Sequence, residues 1–318
     1  MRVDPAITAL RGDVASQRRS QAALEAVKAA WRADAGAGVV EGLQRYAQGA
    51  KLGDCAMLAA EFLGSDLGRI RELLSGWLDC LSRHPFGHVP ARHQYSGGIG
   101  LIQLAESGGA ALSLVLHEAS SAQKEPRTVS FVDAERHEFV LAGKGCASGY
   151  RWSGRDGDQP ESRQLSLEPG SLVALPDRYQ AKQVVRVDQS LVMLRLSRAP
   201  ERPRPSVELC LADGRIVHRA TGDRRESCRE MAMAVLTAMG RTDAVPALAA
   251  RALLGGCEER WQTLRHCLAL DGSEGMRLLR MVASDTTDPL NASAAQLLAV
   301  LAQRFPEFAQ DRPVACHA

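Results

Sequence analysis

The sequence predicts an α+β protein, with a central antiparallel β-barrel between two helical regions. Three observations carry this. Apolar residues recur at helical spacing from about residue 14 to 83. From Tyr95 they gather in short runs divided by turn residues. After Gly222 the helical spacing returns and lasts to about Phe308. Strands grouped between helices, rather than alternating with them, define the class.

In the first part, residues 1–94, the stripe Ala22, Leu24, Val27, Ala30 and Trp31 is followed by Val39, Leu43 and Tyr46, and by Leu58 with Phe62. Ile70, Leu73, Leu74, Trp77 and Leu81 form the clearest stripe, with Arg69, Glu72 and Arg83 off it. Gly36, Gly38, Gly53 and Gly64 punctuate the segments. The helices should stop at His84-Pro85, because a residue before proline is disfavoured in the α region.

The second part, residues 95–200, reads as strands. Ile99–Leu104 and Ala111–Leu116 flank Gly108-Gly109 as a hairpin. Thr128–Val132, Phe139–Leu141, Leu165–Leu167, Leu172–Leu175, Val184–Val187 and Leu191–Leu196 follow. Gly143 and Gly145 are expected to end the strand at Leu141, and Pro169-Gly170 to make a turn. A polar loop runs from Ser153 to Pro160. The proline-rich stretch Ala199–Pro205 then opens a linker and hairpin, residues 201–220, in which Val207–Leu211 and Ile216–His218 flank Asp213-Gly214.

Two segments within the strands carry a family resemblance. Glu138-Phe-Val-Leu-Ala-Gly-Lys-Gly145 and Gly170-Ser-Leu-Val-Ala-Leu-Pro176, the latter preceded by Leu167-Glu-Pro169, resemble the two signature segments of the cupin superfamily, Glu-x6-Gly and Gly-x5-Pro. The resemblance covers residues 96–198 and implies a jelly-roll barrel. Metal-binding cupins place His-x-His ahead of the glutamate and a last histidine five residues after the proline. Those positions here are Phe131, Asp133 and Ala181. The resemblance thus implies a cupin-like barrel without the usual metal centre, and no cofactor is expected.

The alternative is a rebuilt metal site using His117, Asp133 and Glu138, holding iron or another divalent transition metal. That would make the chain a divergent cupin-type non-haem dioxygenase or other oxygenase, with His117, His137 and Glu138 as catalytic candidates. Carboxylates alone suit such a metal poorly, since it prefers imidazole. His137 adjoins Glu138, and neighbours on a strand point to opposite faces, so both cannot line the barrel without a bulge.

Ligand-binding candidates lie at the expected barrel mouth. They are Arg92, His93 and Gln94 from the incoming linker, with His117 and Arg178 from strand ends. Arginine grips a carboxylate or phosphate through two parallel hydrogen bonds, so this set points to an anionic ligand. His84, His88 and His93 fall within ten residues, but their spacing matches no zinc motif, and two prolines and a glycine make the stretch an irregular linker.

Residues 221–318 carry a weak internal repeat. Ala238–Leu248 can be laid on Ala269–Leu279 at an offset of 31, so that Met239 meets Leu270, Asp243 meets Glu274 and Leu248 meets Leu279. Gly240-Arg-Thr-Asp-Ala-Val-Pro-Ala-Leu248 resembles a HEAT-type repeat, a helical hairpin that stacks with its neighbours. Arg260–Leu264 is expected to begin the next hairpin, and Ala294, Leu297, Leu298 and Leu301 to mark a final helix.

Bulk properties exclude several function classes. Lys+Arg 39 against Asp+Glu 37 gives a net charge of +2, with no global pull toward nucleic acid or an anionic membrane. No apolar run is long enough to span a bilayer, and the N-terminus lacks a signal-peptide pattern, so a soluble cytoplasmic protein is expected. Eight scattered cysteines without a CxxC pair read as reduced thiols. No P-loop, dinucleotide fingerprint, nucleophile elbow or zinc-protease motif is present.

Three functions compete on these grounds. The first is a binding module that holds a small polar or anionic molecule or a peptide in the barrel, with the helices serving a protein partner or self-association as a homodimer. The second is the divergent oxygenase, and the third a scaffold whose barrel is only structural.

Overall fold

The computed structural model describes residues 12–63, 67–119 and 126–305. The break expected at Gly64, the helical limit at Phe308 and Cys316 lie outside them. The chain divides into two compact units, Met1–Arg219 and Ala220–Ala318. The other seven cysteines are free thiols. No helix among the described residues is long and apolar enough to cross a membrane.

Among the described residues, the helical part of the first unit holds α1 (Val14–Ala33), α2 (Ala37–Ala47), α3 (Ala56–Leu63) and α4 (Gly68–Arg83), with a 3-10 turn at Leu52–Asp54. The sequence stripes are the buried ones. Leu24, Trp31, Val39, Leu43, Tyr46, Leu58, Phe62, Ile70, Leu73 and Trp77 share one core. Polar groups lock the helix ends. Asp13 accepts the Ser16 amide at 2.9 Å at the start of α1. Glu61, wholly buried, accepts from the Ile70 amide and from Arg69, each at 3.3 Å, at the start of α4. The fourth helix ends at Arg83, as Pro85 requires. The linker that follows is tied back to α1, where Lys28 donates to the Pro90 carbonyl at 2.7 Å.

Among the described residues ten strands follow: β1 (Arg92–Ser96), β2 (Ile99–Ser107), β3 (Ala110–His117), β4 (Thr128–Phe131), β5 (Glu135–Arg151), β6 (Glu161–Leu167), β7 (Leu172–Leu175), β8 (Gln180–Arg198), β9 (Ser206–Cys210) and β10 (Ile216–Ala220). Seven form an antiparallel sheet in the order β1-β2-β3-β8-β5-β6, with β7 also on β5, and three form a second sheet, β10-β9-β4. The ladders of the described residues do not close, so the expected barrel is corrected to an open sheet with a small companion sheet.

Two further expectations change for one reason. The strand expected to end near Gly143 continues to Arg151, and the two short strands expected at 184–187 and 191–196 are one, β8. The register between β5 and β8 shifts at four places between Val140 and Ala147. The glycines make bulges that bend the pair instead of ending it. Gly143 has φ +86, and a Cβ there would lie 2.1 Å from the Ser190 carbonyl oxygen. The bend therefore requires glycine at this position.

Strand alternation gives the central strands two working faces. Leu112, Leu114, Phe139, Leu141, Leu194 and Leu196 pack with the helical core. The alternate set, Val115, Val140, Leu191 and Met193, packs with Leu167, Val173 and Leu175 on the opposite face. Phe131 and Ala181, the positions where cupin histidines would stand, belong to a third apolar cluster with Trp152, Val207 and Leu209.

The second unit is helical: α5 (Arg224–Ala238), α6 (Val245–Arg251), α7 (Cys257–Leu270), α8 (Gly272–Ser284) and α9 (Asn291–Arg304), with a 3-10 turn at Thr242–Ala244. The segments matched at an offset of 31 are both helix-turn-helix junctions, α5 to α6 and α7 to α8. Arg260 lies inside α7 rather than opening it. Its guanidinium forms an ion pair with Asp288. Buried Glu259 draws Arg229 of α5 and Arg251 of α6 onto α7, at 2.8 Å each. The Asp271 carboxylate caps α8 by accepting the Glu274 amide at 3.0 Å.

Candidate functional site

The face of the large sheet turned away from the helices is apolar at one end and charged at the other. Glu138 on β5 stands directly across from Arg195 on β8 in the strand register. Its side chain is 1% exposed, and Arg195 Nε meets its Oε1 at 2.6 Å. Lys182, from the bent start of β8, pairs with the other carboxylate oxygen and is itself 4% exposed. Its Nζ also lies 3.3 Å from Met193 Sδ. Arg136, two residues before Glu138, shares this face; its Nε is buried without a hydrogen-bond partner. His117, at the end of β3, brings a buried Nε2 that is likewise unpartnered. Gly97, Gly98, His117, Lys182, Val185 and Arg195 line a cavity of about 680 Å³. That is within the size range of small-molecule sites.

The electrostatics follow from one carboxylate among three cations. Burial opposes ionisation of Glu138, but Arg195 and Lys182 outweigh it and hold the carboxyl down at about 2. Lys182 is shifted below the ordinary lysine range, because burial and the charges of Arg195 and Arg136 exceed the help from Glu138. Burial, with Lys182 and Arg195, pushes His117 down to about 4. It is therefore a neutral imidazole at physiological pH.

These shifts set an acid limit on stability. The folded His117 stays neutral until about pH 4, whereas in the unfolded chain it protonates near 6.5. The unfolded state therefore holds more protons in that window, and stability falls as pH drops through it. Allowing for solvent screening of a half-buried ring, the loss is about 1–2 kcal/mol. Glu138 adds a further loss below 4.5, as its carboxylate is forced to protonate. His266 in the second unit is also shifted down by burial and contributes to the upper window. The expected result is a smaller loss of denaturant stability between pH 7 and pH 5 in His117→Gln than in the unsubstituted chain. Equal losses would remove His117 from this account.

Of the ligand candidates read from the sequence, only His117 reaches the cavity. Arg92, His93 and Gln94 lie on β1, the exposed edge of the sheet. Arg92 stands opposite Gln103, whereas His117 stands opposite Ile99, four residues along β2, or ~13 Å. Arg92 meets Glu106 at 3.5 Å, and His93 Nδ1 faces the Ala91 carbonyl at 3.1 Å. Arg178 precedes β8 and sits over the Tyr179 ring, 5.7 Å from its centroid. Arg92, His93 and Gln94 thus lie on β1 apart from the cavity that His117 lines, whereas Lys182, Arg195 and Arg136 gather around Glu138.

His137 faces the helices, as alternation from Glu138 requires. Its Nε2 meets Glu135 at 3.0 Å, and its ring lies edge-on to Tyr46. The set His117, Asp133 and Glu138 is not brought together. Asp133 accepts the Arg204 amide at 2.7 Å, and Glu138 is occupied by its cations. Among the described residues no three His, Cys, Asp or Glu side chains are grouped to hold a metal ion. His84, His88 and His93 are likewise not grouped. His84 follows the end of α4, and the His88 amide donates to Gln21 at 3.1 Å.

No protein-family model matches the chain, and no curated protein matches it. Solved structures are similar to part of it. One is the 7S globulin of Momordica charantia, 12% identical over 38% of this chain and 35% of that one, with a TM-score of 0.27. A second is the capsular polysaccharide assembling protein CapF of Staphylococcus aureus, 14% identical over 46% and 41%, at 0.27. A third, from Rhodospirillum rubrum and described as a cupin-2 domain, is 16% identical over 36% and 70%, at 0.24. The chain thus spans well under half the length of the first two. At these values the likeness carries no argument about activity, which rests on the residues of this chain.

Proposed function

We propose that the first unit is a cupin-like binding module that holds a small anionic molecule in the cavity beside Glu138. The observation that supports it most is the excess of buried positive charge: Lys182, Arg195 and Arg136 surround a single carboxylate. Buried charge without full compensation is costly, and an anionic occupant offsets that cost. Arg195 reaches the cavity wall, so its guanidinium is the first contact for a carboxylate or phosphate. Neutral His117 supplies an unpartnered ring nitrogen for a second polar group of the ligand.

Calorimetric titration with acetate and with inorganic phosphate tests this reading. Arg195→Met should weaken any anion binding by about tenfold or more, the scale of one charge-assisted hydrogen bond. Arg92→Ala, on the exposed edge strand, should leave it unchanged. If Arg92→Ala weakens binding and Arg195→Met does not, the ligand sits on the edge strand and the cavity reading is gone.

A further inference from the structure

We infer that the occupant of this cavity is a compact dianion, a dicarboxylate or a phosphomonoester, rather than a singly charged acid. The inference rests on the anion-binding reading above and narrows it to one charge class.

The charges of the built site do not balance among themselves. Glu138 already has two cations, Arg195 at 2.6 Å and Lys182 on its other oxygen. One negative charge is thus shared between two positive ones. Arg136 adds a third on the same strand face and forms no ion pair among the described residues. The cluster therefore carries two positive charges more than its own carboxylate neutralises. At the rim, Arg186 is paired with Asp188 at 2.9 Å, and Glu118 keeps its negative charge while accepting the Tyr95 hydroxyl, but it is exposed, so water screens it. A monoanion would leave one buried positive charge uncompensated, which a low-dielectric site disfavours. A dianion leaves none.

Two groups in the cavity feel the same cations. Burial holds Lys182 below the ordinary lysine range, with Arg195 and Arg136 adding to it, and burial, then Lys182 and Arg195, pushes His117 to about 4. In both, nearby positive charge adds to the effect of burial. An incoming dianion cancels the excess. His117 Nε2, buried and unpartnered at the cavity wall, is placed to hydrogen-bond a hydroxyl or a phosphate oxygen of the same molecule.

The test compares matched pairs of probes on the full chain at constant ionic strength: butyrate against succinate, and methanesulfonate against inorganic phosphate near pH 8. Succinate and phosphate should each bind at least tenfold more tightly than the monoanion beside them. In Lys182→Gln, which removes one cation, that advantage should shrink to threefold or less. Butyrate binding as tightly as succinate would overturn the dianion inference while leaving the anion-binding reading intact. Binding of neither charge class, with the chain folded by circular dichroism, would overturn both. Preference for one dianion, succinate or phosphate, identifies the source of the charge and supports the inference in either case.

Discussion

Glu138→Gln is expected to destabilise the first unit by about 3–5 kcal/mol, the range for breaking a buried ion pair from one side. The substitution keeps the shape of the side chain and removes only its charge. Lys182 and Arg195 then lose their common partner while both remain largely out of water. Arg136 loses the one nearby charge that favours its ionised form. Denaturant unfolding followed through Trp152 and the other tryptophans reads the loss directly. The companion variant Glu138→Gln/Lys182→Met should regain at least about 1 kcal/mol of it, because the orphaned ammonium is gone and Met193 gives the new thioether an apolar neighbour. A single variant that loses less than 1 kcal/mol would show that water reaches the cluster freely. The charge argument for the cavity would then fail with it.

The helices of the first unit were legible because each writes its buried face at a spacing that survives without knowledge of the partner. Ile70, Leu73 and Trp77 are apolar whatever covers them, and their helix packs on α1, whose Leu24 and Trp31 share the same core. The strand segments were legible for the same reason, but their bends were not. Gly143 and Gly145 read equally well as strand ends or as bulges, and only the Ser190 and Arg186 carbonyls pressed against them decide for bulges.

That ambiguity hid the site. Arg195 shares its parity with Leu191 and Met193, both wholly buried, so an inward-facing arginine was readable from β8 itself. Lys182 was not. The bulges between it and Leu191 break the alternation, and no count along the sequence places it beside Glu138. The family motif also pointed elsewhere, toward the absent histidines. Phe131 and Ala181 have instead become part of an apolar cluster with Trp152. An imidazole at either position would be buried there without polar partners, which gives the departure from the motif a physical meaning.

Arg198→Ala should cost about 2–4 kcal/mol and loosen the N-terminal helices from the sheet. Arg198 ends β8 and donates to two carbonyls of the helical region, Tyr46 at 2.6 Å and Ala50 at 2.9 Å. The Tyr46 carbonyl lies in the last turn of α2, where it also accepts the Gly49 amide at 3.0 Å. The same guanidinium stacks 4.2 Å above the Tyr46 ring and pairs with Glu135 at 2.5 Å. Two charge-assisted hydrogen bonds at about 1.5 kcal/mol each and a cation–π contact of about 1 set the upper end of the range. Water reaching the freed carbonyls sets the lower end. Arg198→Lys should recover less than half of the loss, because one ammonium cannot serve two carbonyls, a carboxylate and a ring at once. Arg198 works on the helix side of the sheet, so neither variant should change the affinity for succinate or phosphate by more than twofold. Trypsin cleavage after exposed Lys51, beside the anchored Ala50, should accelerate about tenfold in Arg198→Ala. Unchanged cleavage with unchanged stability would mean that the apolar core alone holds the helices in place. A loss of anion affinity would mean that the two faces of the sheet are coupled through β8.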